Sequence, residues 1–216
     1  MRELAAFRRV SHGHSTFLDI GAAQGIFSAA FCALTSRAAY AFEPSPSMFE
    51  ELEALIGLNP TFNTVPFKLA LGAVAGTLRV QSHGAQFRGV AAAEVNGATV
   101  AVDTLDNFVR RNELAPDFVK IDVEGMEFEV LRGGAETFSR SVGLIMLEVH
   151  PGMLMRGEAV SDVQALLASF GFKLFTLDFA PITDLASHLL TGRRLLSPAT
   201  NIVCAKGGSV HELARA

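Results

Sequence analysis

The chain has 216 residues, half of them hydrophobic and 19% charged, with a net charge of −4. That length suits one full-sized domain with a substantial core, and the acidic balance offers no basic footprint for nucleic acid. No apolar run reaches the roughly 18 residues of a membrane span, and the start MRELAAFRRV lacks the apolar stretch of a signal peptide, so a cytoplasmic location is expected.

In chain order, short β-type runs alternate with helix-type segments. Strands are expected at Thr16–Ile20, Ala39–Phe42, Thr64–Leu69, Phe118–Val123, Gly143–Val149, Phe172–Leu177 and Ile202–Ala205. Helices are expected at Gly25–Ser36, Ser45–Leu58, Leu105–Asn112, Glu127–Phe138 and Val160–Phe170. Ser47 is a candidate cap for the second helix, with Glu50 and Glu51 in its first turn. Asp103 and Thr104 read as caps of the third, and Gly171 as the stop of the last. Ahead of the first strand, His12 and His14 read as polar linker residues.

Between these elements lie two insertions. Residues 73–102 read as an inserted β flap, with Thr77–Gln81 and Thr99–Val102 around the Gly/Ala-rich stretch Gly84–Gly97. Leu185–Ser197 is a second, irregular insertion. Cys32 and Cys204 read as buried free thiols, and no metal-type Cys/His spacing occurs. Alternating β and α elements imply an α/β fold: a mainly parallel, doubly wound sheet that binds ligands at the carboxyl ends of its strands.

Chemistry concentrates at two such strand ends. The first is Phe17-Leu18-Asp19-Ile20-Gly21-Ala22-Ala23-Gln24-Gly25. Gly21 permits a sharp turn, Ala22 and Ala23 keep the surface low, and Gln24 and Gly25 open a helix whose amides can face an anionic group. Glu43 follows Gly25 by 18 positions, close to the roughly 20-residue offset of a ribose-binding carboxylate. Asp19, so near the turn, suits an amino-acid ammonium better than a pyrophosphate, and the pattern D-x-G-x-A-x-G departs from G-x-G-x-x-G. Both points favour S-adenosylmethionine (SAM) over NAD. Leu71, at the end of the third strand, is a candidate border for an adenine.

The second is Phe118-Val119-Lys120-Ile121-Asp122-Val123-Glu124-Gly125, followed one strand later by Leu147-Glu148-Val149-His150. If the strand persists, Asp122 and Glu124 share a face. Asp122, Glu124, Glu148 and His150 would then line one edge of the pocket. His150 is the first candidate for a general base that takes a proton from an acceptor hydroxyl. Asp122 is the second, with holding the ammonium group or orienting the acceptor as its other roles. The four side chains could also chelate Mg²⁺ or Mn²⁺, but no tight ligand spacing demands it and no metal site is assigned. Glu124 is read as stabilising the start of the following helix.

DIGAAQG, AFEPSP, TLD, VKIDVEGMEFEVLRGG and LEVH, in this order, resemble the FkbM-type SAM-dependent methyltransferases over roughly Phe17 to Lys206. The resemblance implies a class I, Rossmann-like methyltransferase fold of seven strands, the last antiparallel. It implies O-methyl transfer from SAM, with S-adenosylhomocysteine as product, to a hydroxyl of a sugar, glycolipid or secondary-metabolite acceptor. Asn201-Ile202-Val203 fits the family's last strand, and Gln24 stands where the family often has Asn. The residues ahead of the first strand are fewer than relatives usually carry, which leaves acceptor specificity open. Two other readings are a catalytically silent SAM-fold module that binds a partner, and an NAD-linked oxidoreductase.

Overall fold

The computed structural model describes residues 2–83, 86–89, 98–150, 159–189 and 200–207. The chain opens with α1 (Arg2–Val10), then alternates β1 (Thr16–Ile20), α2 (Ile26–Thr35), β2 (Ala38–Phe42), α3 (Pro46–Leu58) and β3 (Thr64–Phe67). Next come β4 (Ala70–Leu71), β5 (Gly76–His83), β6 (Gln86–Gly89) and β7 (Ala98–Asp103). The alternation resumes with α4 (Leu105–Arg111), β8 (Phe118–Ile121), α5 (Glu127–Gly133), α6 (Ala135–Arg140), β9 (Leu144–Val149) and α7 (Val160–Ser169). The last elements are β10 (Lys173–Phe175), β11 (Pro181–Ile182), α8 (Leu185–Leu189) and β12 (Thr200–Ala205).

The main sheet has the order β11-β10-β12-β9-β8-β1-β2-β3. β1, β2, β3, β8 and β9 run parallel, while β12 is antiparallel to both β9 and β10. The expected seven-stranded sheet with its reversed last strand is present, extended by the two-residue edge strand β11. Strand order switches at β1, which pairs with β2 on one side and β8 on the other. A crevice for ligands opens at such a point, beyond the carboxyl ends of the strands.

Helices cover both faces, and the central strands bury side chains on both. Leu18, Ile20, Val119, Ile121, Ile145 and Leu147 join one core with Leu105, Leu131 and Leu167 of the helices. Phe17, Phe118, Leu144 and Met146 join the other with Phe7 and Phe31. No helix among the described residues is long and apolar enough to cross a membrane.

Several boundaries differ from expectation. The N-terminal segment is a helix, because Phe7 is fully buried with its ring 5.2 Å from Phe17 and 5.3 Å from Phe118. A nine-residue helix with four charged side chains is not stable alone, so packing decides it. His14 is more than linker: its Nδ1 lies 3.6 Å from Asp117, whose carboxylate also accepts the Ser15 and Thr16 amides. The third main strand stops at Phe67, and Ala70–Leu71 crosses to a second sheet of order β4-β7-β5-β6.

This second sheet falls where the sequence suggests an inserted flap; residues 84–85 and 90–97 of the Gly/Ala-rich stretch there lie outside the described residues. Ser45, with Pro46 after it, takes the cap position assigned to Ser47, and no acid stands in the first turn of α3. The segment Glu127–Phe138 is two helices. A Cβ on Gly133 would come 2.0 Å from the carbonyl oxygen of Gly72, so this close approach requires glycine. Of Leu185–Ser197, Leu185–Leu189 is helical and the rest lies outside the described residues.

Candidate functional site

The site begins where β1 ends. Gly21 turns with φ +80, and the amides of Gly21 and Ala22 both donate to the Phe42 carbonyl at 3.0 and 2.9 Å. This stitches the first turn to the end of β2. A Cβ on Gly21 would stand 1.8 Å from the carbonyl oxygen of Asp122. Gly25, at φ +83, precedes α2 and lies against Leu52.

Glu43 leaves β2 with both carboxylate oxygens engaged. One accepts the Ala23 amide and the other the Ser45 amide, each at 2.8 Å. The side chain is 6% exposed. Burial raises its pKa, against the pull of the two amide bonds. A carboxylate held this way has fixed geometry, and its remaining lone pairs are available to hydroxyl donors.

A cleft of about 350 Å³ opens over these residues, within the usual size of small-molecule sites. Gly21, Ala23, Glu43 and Ser45 form one side, with Met48 of α3 beside them. Phe42, Leu69, Leu71 and Gly72 form a mainly apolar wall, joined by Thr77, Leu78 and Val102 of the second sheet. Asp122, Val123, Glu124, Met126 and Glu129 complete it. The second sheet thus contributes directly to the site.

The acidic segment does not continue as strand past Ile121. Glu124 has φ 55 and Gly125 φ 100, so the chain turns out of the sheet. Asp122 and Glu124 reach the cleft through that turn, not by sharing a strand face. The turn is held by Glu127, which accepts the Gly125 amide at 2.9 Å and the Val123 amide at 3.4 Å. Glu127 therefore fixes the turn that leads into α5. Its other oxygen is buried without a hydrogen bond, and burial pushes its pKa up to about 7.

Asp122, Glu124, Glu148 and His150 do come together. Asp122 accepts a hydrogen bond from Lys120 Nζ at 3.0 Å, and this ammonium is the main influence holding its pKa below the usual value despite burial. Glu148 is pushed up to about 8 by burial and by its hydrogen bond to Asp122. Asn201, opposite Glu148 on β12, donates to it at 3.4 Å. His150 Nε2 lies 3.1 Å from Glu124 Oε2. Among the described residues, no three His, Cys, Asp or Glu side chains are arranged to hold a metal ion.

Of the expected cofactor residues, Gly21, Glu43, Leu71 and Asp122 line the cleft. Ala22, Gln24, Gly25 and Asp19 do not. Ala22 is buried with Ala41 and Leu52, and Gln24 points outward and donates to Glu51. Asp19 requires a correction: it is fully buried, one oxygen accepting the Ser28 amide (3.1 Å) and hydroxyl (2.7 Å), so it does not face an ammonium in the cleft. Burial raises its pKa, with Lys120 opposing. His150 does not line the cleft itself and pairs with Glu124, which does. Lys120, Met48 and Val102 were not anticipated. Lys120 did carry a signal, as a lone charge inside the apolar strand FVKI two residues before Asp122.

A family model described as a methyltransferase FkbM domain matches residues 19–174. Hexuronic acid methyltransferase AglP of Haloferax volcanii is 29% identical over 138 residues, covering 62% of this chain and 56% of AglP. The chain thus spans little more than half the length of that curated relative. Among solved structures, methyltransferase FkbM from Methylobacillus flagellatus KT has a TM-score of 0.59 at 14% identity, covering 88% of this chain and 43% of that one. Magnesium protoporphyrin IX methyltransferase (ChlM) from Synechocystis PCC 6803, solved with bound SAM, has a TM-score of 0.54 at 14% identity, covering 95% and 78%. These likenesses show the class I methyltransferase fold. The chain belongs to the FkbM methyltransferase family.

Proposed function

We propose that this chain transfers a methyl group from SAM to a hydroxyl of a sugar or glycan-type acceptor. The observation that carries this reading is Glu43, a carboxylate fixed by two backbone amides at the end of β2, on one side of a cleft whose wall is apolar. The residues present fit the cofactor. Glu43 offers oxygens to a pair of ribose hydroxyls, Phe42, Leu71 and Val102 suit an adenine, and Asp122, ionised beside Lys120, suits an ammonium group. When bound, SAM supplies an electrophilic methyl on a sulfonium.

The chain's own work is alignment and proton removal. Holding an acceptor oxygen in line contributes a large share of the rate in such displacements. A neutral hydroxyl is a weak nucleophile, so a base adds about 10²–10⁴-fold. We assign that role to the Glu124–His150 pair: Glu124, on the cleft wall, accepts the hydroxyl's hydrogen bond and then its proton as the oxygen–methyl bond forms, and passes that proton to His150 Nε2, which ends as imidazolium. Asp122, held ionised by Lys120, orients rather than accepts the proton. The sugar class of acceptor is supported by the name of the relative AglP.

Calorimetric titration with SAM and with NAD tests the reading. SAM is expected to bind and NAD not; binding of NAD alone would sink it. Tritiated methyl transfer from SAM into fractionated cell extract would then identify the acceptor.

A further inference from the structure

Lys120 sits in the middle of β8, between the fully buried Val119 and Ile121, and is itself 4% exposed. Its ammonium donates to Asp122 Oδ2 at 3.0 Å and stands 3.9 Å from Asp19 Oδ1, an oxygen buried without any hydrogen bond. The ring of Phe27 from α2 closes the remaining side, 4.9 Å away. Asp19 and Lys120 are register partners on adjacent strands, so the backbone ladder itself sets this contact. A buried ammonium is costly unless paired, and removing one partner of such a pair leaves the other uncompensated.

We propose that Lys120 is a positioning residue of the methyl-transfer site, fixing the Asp122 carboxylate on the cleft wall and tying it, through Asp19, to the underside of the first turn. This rests on the reading of the cleft as a SAM site. The charged groups around the pair are few and identified. Asp19 of β1 and Glu148 of β9 face Lys120, and Glu43 after β2 feels the charges of both Asp19 and Lys120. Glu148 and His150 face Asp122 from the β9 side, and Glu127 of α5 feels its charge. Lys120 is the cation at the centre of these carboxyl groups. Without it Asp122 keeps only the Glu148 hydrogen bond and loses the neighbouring positive charge, while the Asp19 carboxyl stays close by, so Asp122 must hold its proton to higher pH.

Carbon-13 NMR of carboxyl-labelled aspartate would follow Asp122 in the wild type, Lys120→Met and Lys120→Arg, beside calorimetric titration with S-adenosylhomocysteine across pH. In Lys120→Met the Asp122 midpoint is expected to rise by roughly 1–3 pH units, and the acid limb of S-adenosylhomocysteine affinity to rise with it. Lys120→Arg should return both toward wild type. An unmoved Asp122 midpoint in Lys120→Met, even with lowered thermal stability, overturns the proposal, since a merely structural lysine would do that. If Lys120→Met does not fold, Asp122→Asn replaces it: the Lys120 ammonium nitrogen must then titrate at lower pH than in the wild type, and an unmoved midpoint overturns the proposal. Wild-type protein that binds no S-adenosylhomocysteine would overturn the cofactor reading instead, while a shifted Asp122 midpoint would still support the Lys120–Asp122 tie.

Discussion

Gly21 and Asp122 meet backbone to backbone: a Cβ on Gly21 would stand 1.8 Å from the Asp122 carbonyl oxygen. The turn after β1 and the turn after β8, about a hundred residues apart in the chain, are therefore one packed unit. The cleft is built on that unit, because both turns contribute lining residues.

Gly21→Ala tests this contact. The residue is held at φ +80, which alone costs about 1–2 kcal/mol for a non-glycine residue, and the clash adds to it. A loss of at least about 2 kcal/mol lowers Tm by at least about 4 °C in a chain of this size. SAM affinity should fall with it, because the shift moves Asp122. Unchanged melting and affinity would contradict the backbone contact.

Glu43→Gln keeps the volume but puts an amide donor where an acceptor is needed. One of the Ala23 and Ser45 amides loses its partner. Hydrogen bonds to charged groups contribute about 1.5–3 kcal/mol, so SAM should bind about 10- to 100-fold more weakly by calorimetry. An unaltered Kd would remove Glu43 as the ribose-binding residue.

His150→Ala should lower kcat for the acceptor found by tritium labelling by about 10²-fold or more, while SAM affinity stays unchanged. The split between turnover and binding matters, because His150 does not line the cleft itself and pairs with Glu124, which does. A kcat equal to wild type would exclude the Glu124–His150 pair as the proton acceptor.

Stability should fall between about pH 5 and pH 8. Glu127 and Glu148 are raised to about 7 and about 8, so each binds its proton more tightly folded than unfolded. Their contribution is fully present below their ordinary value and is lost as pH climbs through the raised ones. Asp122 and Asp117 are lowered, and their opposite contribution is lost only at more acid pH. Glu127→Gln keeps an oxygen for the Gly125 amide but cannot ionise. Its Tm should decline less steeply than that of the wild type over pH 5 to 7. Parallel slopes for the two proteins would refute the assignment.

Much of the site was legible because its key residues sit at strand ends that announce themselves locally. Gly21, Glu43, Leu71 and Asp122 each follow or close a short apolar run, and each lines the cleft. Asp19 misled for a physical reason. Side chains on a strand alternate between faces, so Asp19 shares the face of Phe17 and points under α2, where Ser28 receives it. The helix α1 was missed because its charged sequence has little intrinsic stability, and the pocket formed by Phe17 and Phe118 that captures Phe7 is assembled from distant strands.

The amino-acid sequence by itself determined the alternation of strands and helices, the first glycine turn and the family. These follow from local pattern: an apolar run ending in glycine must turn, and the order of such runs defines the fold class. Only the tertiary structure decided which acids face the cleft and which are spent beneath it. That depends on strand register and on burial, which place Lys120 between Asp19 and Asp122, leave Asp19 closed off from the ligand side, and pair Glu124 with His150. Charge pairing across neighbouring strands is a property of the sheet, and no stretch of the chain read alone contains it.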